Sequence, residues 1–258
     1  MTRWKLTIEY DGTKYFGWQR QDGDIPSVQQ AIEEAIPKFC QQQATLHVAG
    51  RTDAGVHAWG QVAHVDLDDF TRPMSGFEVA KAINAHLRPH RISIVEAAPV
   101  ADDFHARFMA VKKLYRYRIV ARSAPLAIEE GLAWHLRRAL DAQAMHASAQ
   151  HLIGQHDFTS FRDAACQAKS PVKTLDRLDV TARDYDGMGG QEILIEAEGR
   201  SFLHHQVRNM VGTLVLVGEG KWTPADMKTV LAARDRTKAG QTAPAEGLYL
   251  VRVDYPVS

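Results

Sequence analysis

Apolar and polar residues alternate from Trp4 to Tyr10, with Trp4, Leu6, Ile8 and Tyr10 on one side and Lys5, Thr7 and Glu9 on the other. That period of two predicts a half-buried strand. Asp11-Gly12-Thr13-Lys14 follows as a turn. The period then lengthens. Val28, Ala31, Ile32, Ala35, Ile36 and Phe39 share one helical face behind a Ser27 cap, with Gln30 at the capping-box position. Pro37 is expected to limit that helix. Alternation returns in residues 46–49 and 59–67. A second helical stripe, Val79, Ala80, Ile83 and Leu87, covers 77–87, and 91–95 reads as a strand.

The second half repeats this rhythm without repeating the sequence. Strands are expected at 114–120, 175–182, 192–197 and 248–253. On the first of these, Tyr115, Tyr117 and Ile119 share one face and Arg116 and Arg118 the other. Asp141 caps a helix running to Ile153 and ended by Gly154. A long, largely apolar helix is expected over 202–217, carrying His204, His205, Arg208 and Asn209, and Thr223-Pro224 opens another. Strands interleaved with helices in both halves predict an α+β fold of two ferredoxin-like α/β halves with mainly antiparallel sheets. The boundary is expected near residue 106, giving domains 1–106 and 107–258, with no Gly/Ser-rich linker between them.

The chain's 258 residues suit one large domain or two of ordinary size, and 45% hydrophobic with 24% charged residues suits a globular core. The two cysteines, Cys40 and Cys166, form no metal or redox spacing. The N-terminus lacks an apolar signal core, and the longest apolar run, 211–217, is too short to span a bilayer. A cytoplasmic protein with no membrane partner is therefore expected. Lys plus Arg equals Asp plus Glu at 31 each. A nucleic-acid partner then requires segregated charge. Arg107, Lys112, Lys113, Arg116, Arg118 and Arg122 form a run free of acids, while acids gather at Asp66-Asp68-Asp69, Asp102-Asp103 and Glu129-Glu130. The twelve histidines include no HExxH motif, so no metal is expected.

Between the strands at 46–49 and 59–67 lies Gly50-Arg51-Thr52-Asp53-Ala54-Gly55-Val56-His57. Its glycines let the backbone turn sharply around a carboxylate, a guanidinium, a hydroxyl and an imidazole. Taken locally, it fits a catalytic loop or a polar hairpin whose Asp53 closes an Asx-turn.

The octet resembles the signature of the tRNA pseudouridine synthase A (TruA) family. So do Glu9–Gln21, Asp103–Phe108 with Tyr115-Arg116-Tyr117, His156–Phe161, Phe202–Gly212 and Ala245–Leu250, in the family's order and over nearly the whole length. The resemblance implies the pseudouridine synthase fold and isomerisation of uridine to pseudouridine in the anticodon stem-loop of tRNA, at positions 38, 39 and 40. It implies a homodimer that binds tRNA, with neither cofactor nor metal. By the same match, Asp53 is the catalytic carboxylate, Tyr115 the active-site tyrosine, and Arg208 the basic partner of Asp53. Whether Asp53 attacks as a nucleophile, steadies a sugar cation or removes a sugar proton stays open. Chemistry on a stacked base requires extruding it, and Arg51 is placed to fill the gap or hold a phosphate. Lys14, Arg20, Lys112 and Lys113 are expected along the RNA. A silent tRNA-binding protein and an Asp-dependent nucleoside hydrolase are the rival readings.

Overall fold

The structure, a computed structural model, describes residues 1–256. It divides into two compact units, residues 1–111 with the segment from Tyr249, and residues 112–248. The division falls five residues beyond the expected boundary, and the last strand belongs to the first unit.

In the first unit, β1 (Thr2–Tyr10), α1 (Val28–Cys40), β2 (His47–Val48), β3 (His57–Leu67), α2 (Gly76–Leu87) and β4 (Ile92–Val100) follow one another. Their strands lie in the order β4-β1-β3-β2, each neighbour antiparallel, which is the ferredoxin-like arrangement. The C-terminal strand β11 (Leu248–Asp254) adds in parallel to β3, pairing Tyr249 with His57 and Leu250 with Ala58. Leu6, Ile8, Ile32, Ile36, Val65, Leu67, Ile83 and Leu87 are sealed between sheet and helices. Ser27 caps α1 by accepting from the Gln30 N–H, as expected. Pro37 limits that helix as expected, and α1 ends at Cys40, within one turn of it. The proline stands in the last turn, where its missing N–H removes only one bond, and Gln41 in a left-handed conformation closes the end. α2 opens with a full capping box between Ser75 and Glu78.

The second unit contains β5 (Lys112–Ala121), β6 (Trp134–Leu136), α3 (Ala142–Ala149), β7 (Gly154–Asp157), β8 (Val172–Leu175), β9 (Arg177–Asp184), β10 (Gln191–Gly199), α4 (Gln206–Gly218) and α5 (Asp226–Ala233). β10 lies antiparallel between β5 and β9, β6 runs parallel to the outer edge of β5, and β7 and β8 form a separate hairpin. The succession β5-α3-β9-β10-α4 repeats β1-α1-β2-β3-α2. The fold is thus α+β with mainly antiparallel sheets.

Four expected elements differ. The helix expected from Asp141 to Ile153 ends at Ala149 and passes into a 3-10 turn over Gln150–Leu152, with Gly154 opening β7. The helix expected from Thr223-Pro224 starts at Asp226 behind Ala225. The strand expected at 175–182 is two strands broken at Asp176, whose N–H turns to the Glu198 carbonyl. The helix expected from residue 202 starts four residues later. Residues 202–205 form a turn in which the Leu203 N–H donates to Gln206 Oε1 and His205 takes φ +60°. His204 and His205 therefore precede the helix, although the apolar periodicity runs through them.

Candidate active site

Residues 49–56 cross from β2 to β3, and the end of β1 with the segment after it holds this loop at three points. The Tyr10 hydroxyl lies 2.8 Å from the Thr52 hydroxyl. The Trp18 N–H donates to the Thr52 carbonyl at 3.1 Å, and the Gly55 N–H to the Tyr15 carbonyl at 3.2 Å. Gln61 Nε2 donates to the Gly50 carbonyl at 2.8 Å. The Val56 N–H turns back to the Asp53 carbonyl. Two glycines make the approach possible. A Cβ on Gly12 would stand 2.0 Å from the Val56 carbonyl oxygen, and one on Gly17, at φ +90°, 2.7 Å from the Thr52 carbonyl oxygen. The motif at 9–21 and the octet are therefore two halves of one clamp. It leaves Asp53 half-buried and Arg51 exposed on a fixed turn.

Burial raises the Tyr10 phenol to about 12, so it is protonated at neutral pH and can donate to Thr52. His57 is buried, its ring 4.6 Å from that of Tyr249, which in turn stacks on Trp59 at 4.3 Å. His57 Nδ1 accepts the Gly12 N–H at 3.0 Å. Asp11 accepts from the Thr13 N–H and hydroxyl and from Arg91. Burial pushes the Asp11 carboxyl upward, but these donors outweigh it and hold the group below its ordinary value. Polar residues flanking Asp53 thus serve the loop's shape.

In the second unit, Tyr115 is half-buried on β5 with its ring edge-on to Phe202, centroids 5.2 Å apart. Arg208 stands in the first turn of α4. Its Nε donates to the Ala243 carbonyl at 2.7 Å while the Ala243 N–H donates to the Arg208 carbonyl. The same strap accepts the Tyr117 hydroxyl at the Pro244 carbonyl, 2.7 Å away. Burial raises the Tyr117 phenol far above its usual range, and the Arg208 charge opposes that rise. Behind Arg208, the fully buried Asn209 accepts from Arg236 and Thr242 and donates to the Phe161 carbonyl. Arg236 also donates to the Gly240 carbonyl. The strap that orients Arg208 is thus tied at both ends.

The basic run does not form a bare cationic face. Lys112 lies 3.0 Å from Glu198, Arg116 2.6 Å from Glu196, and Arg118 2.8 Å from Glu192 and 2.9 Å from Glu129. Arg177 and Arg183 on β9 pair with the same β10 glutamates. Alternation on β10 placed Glu196 opposite Arg116, with Glu192 and Glu198 on the diagonals to Arg118 and Lys112, a cross-strand ladder that local charge counting does not show. Lys113 is half exposed, Lys14 is exposed on a 3-10 turn, and Arg20 lies 3.4 Å from Glu33.

Nitrogens of His47, His64 and His105 lie within 4.8 Å of one another. His64 Nδ1 accepts the Ala106 N–H, and His105 Nδ1 accepts those of Arg107 and Phe108. In a neutral ring the hydrogen then sits on Nε2, so the lone pairs of these two rings face the backbone rather than a shared ion.

The family profile described as tRNA pseudouridine synthase matches residues 6–109 and 148–256, which includes the clamp, the Asp53 loop, α4 and its strap. The chain belongs to that family. Proteins named tRNA pseudouridine synthase A are similar to it over nearly their whole length. That of Paramagnetospirillum magneticum is 58% identical over 258 residues, covering 100% of this chain and 97% of the relative. Those of Rhodospirillum centenum and Bradyrhizobium diazoefficiens are 56% and 57% identical over 255 residues, covering 99% of this chain and 100% of each relative. The enzyme is an isomerase that converts uridine to pseudouridine in tRNA. Among its described residues no helix is long and apolar enough to cross a membrane.

In this tRNA pseudouridine synthase the clamp fixes the course of the loop that carries Asp53. Sequence reading picked out Asp53, Arg51, Tyr115 and Arg208. It missed Tyr10, Gln61 and the Asn209-Arg236-Thr242 network. Tyr10 read as an ordinary core residue of an alternating strand, and the network joins residues far apart in sequence.

Proposed function

We propose that the enzyme isomerises uridine at positions 38, 39 and 40 in the anticodon stem-loop of tRNA, with Asp53 as the catalytic carboxylate acting on an extruded base. The observation that carries this reading is the double hold on Thr52, side chain from Tyr10 and carbonyl from Trp18, immediately before Asp53. A loop fixed on both sides of a half-buried carboxylate is what preorganised chemistry requires. Arg51, exposed two residues earlier, fills the space left by the base or holds its phosphate. Tyr115 stacks on the uracil, and Arg208 supplies the positive partner of Asp53. The C1′–N1 bond breaks and a C1′–C5 bond replaces it, so the reaction needs neither cofactor nor metal.

Lys14, Arg20, Lys112 and Lys113 border the RNA in this reading, although Lys112 and Arg20 also hold acidic partners. The enzyme works in the cytoplasm as a homodimer. The test is chemical mapping of pseudouridine in tRNA treated with the pure protein. Modification confined to positions 38, 39 and 40 supports the reading, and modification elsewhere in tRNA overturns the choice of target.

A further inference from the structure

We propose that Arg236 is a positioning residue for the isomerisation, holding residues 240–244 against α4 so that the Ala243 carbonyl aims the Arg208 guanidinium; this rests on the proposed function, which gives Arg208 its part in the chemistry. All the groups involved belong to the second unit.

Arg236 opens a 3-10 turn, Arg236–Lys238, and its backbone is pinned from behind. Asp235 caps that turn by accepting the Thr237 N–H. The Asp235 N–H donates to the Ser160 hydroxyl at 2.9 Å, and that hydroxyl donates to the Val230 carbonyl of α5. From this base the guanidinium reaches three oxygens. Nη1 donates to the Gly240 carbonyl at 2.8 Å, and Nη2 to Asn209 Oδ1 at 3.0 Å and the Thr242 hydroxyl at 3.1 Å. The Thr242 hydroxyl passes its own hydrogen to Asn209 Oδ1 at 2.7 Å. All three acceptors are neutral. A planar fork whose donors are set on a carbonyl, an amide and a hydroxyl fixes geometry rather than balancing charge.

The strap needs such a hold because no regular element shapes it. Residues 240–244 lie in neither helix nor strand, yet their backbone runs directly against that of α4. A Cβ on Gly212 would collide with the Gln241 carbonyl oxygen, and one on Gly240 would stand 2.7 Å from the Gly212 carbonyl oxygen. Arg208 and Ala243 grip each other across this contact. The Ala243 N–H donates to the Arg208 carbonyl at 3.1 Å, and Arg208 Nε donates to the Ala243 carbonyl at 2.7 Å. Because a guanidinium is planar and rigid, the bond at Nε sets the plane and direction of the whole group. Arg236 ties residues 240 and 242 and, through Asn209, the position beside Arg208 on α4. It therefore holds both sides of the bond that aims Arg208. Slippage of the strap turns the guanidinium, and a misplacement of about 1 Å costs on the order of 100-fold in rate.

The test uses the full-length enzyme in single turnover on tRNA, with tRNA binding measured alongside, in the native and in the Arg208→Met background. Arg236→Met should slow pseudouridine formation by about 10-fold where Arg208 is present, with tRNA affinity kept within about twofold. In the Arg208→Met background the same substitution should change the rate by less than about twofold, because no guanidinium is left to aim. Thr242 supplies a milder pair, which decides if Arg236→Met does not fold. Thr242→Val removes the hydroxyl and should slow the native background several-fold, while Thr242→Ser keeps it and should stay within about twofold of wild type. Equal slowing in both backgrounds, an affinity loss matching the rate loss, or indistinguishable rates for Thr242→Val and Thr242→Ser would overturn the assignment. Failure of the wild-type protein to form pseudouridine would instead overturn the proposed function, and this inference with it.

Discussion

The hydroxyls of Tyr10 and Thr52 lie 2.8 Å apart, joining the end of β1 to the residue before Asp53. Both are buried, and Gln61 Nε2 reaches the same phenol at 3.4 Å. The first strand of the chain therefore sets the position of a loop more than forty residues later.

Tyr10→Phe should separate loop order from RNA binding. It removes one buried hydroxyl and leaves Thr52 to find another partner, a loss of about 1–3 kcal/mol in stability. If loop order controls the chemistry, kcat should fall several-fold while tRNA affinity holds. Urea unfolding, single-turnover rates and tRNA binding on the same preparation check this. An affinity loss matching the rate loss would show that the hydroxyl pair serves binding instead.

Arg208 permits a finer test, because its Nε is already committed to the Ala243 carbonyl. Lysine keeps the charge but has no planar fork to satisfy that carbonyl and a carboxylate together. Arg208→Lys should retain partial activity, and Arg208→Met, which keeps only the apolar stem, should lose about 100-fold or more in single-turnover rate. Equal activity in the two variants would mean that the charge does not matter.

Acid stability should report His64. Burial, then the charges of His47, His105 and Arg3, lower its pKa from 6.5 to about 4. A lowered folded-state pKa means that the unfolded chain takes up the proton first. The stabilising contribution is complete above pH 6.5 and drains away as pH falls toward about 4. His64→Asn keeps an acceptor for the Ala106 N–H without the titration. The variant's stability, followed by urea unfolding from pH 7 to 4, should decline less steeply than that of wild type. Parallel declines would assign the acid loss to other groups, such as Asp11 with its lowered carboxyl.

Much of this architecture could be read along the chain because its signals are local. β1 and β3 alternate, Ser27 and Gln30 announce α1, and the octet's composition marks Asp53. The remaining features depend on contacts over long sequence separations. The bases on β5 read as a cationic surface until register set Glu192, Glu196 and Glu198 beside them. The start of α4 was misplaced because Phe202 and Leu203 continue its apolar period, while the turn at His205 accompanies a contact with Asp163, 42 residues earlier. Pro37 marks where α1 runs out, and its place in the final turn makes it inexpensive. For Arg208, sequence offered a charge in an apolar helix but not the strap that aims it.

The most direct test of the central claim compares wild type with Asp53→Asn on tRNA, mapping pseudouridine chemically and measuring tRNA binding in parallel. Asparagine is nearly isosteric and still hydrogen-bonds, but it is neither nucleophile nor base. Wild type should convert the anticodon stem-loop uridines, and the variant should bind tRNA within a few-fold of wild type yet form no pseudouridine. Appreciable turnover by Asp53→Asn would contradict the account, because the loop that the clamp holds would then not carry the catalytic group.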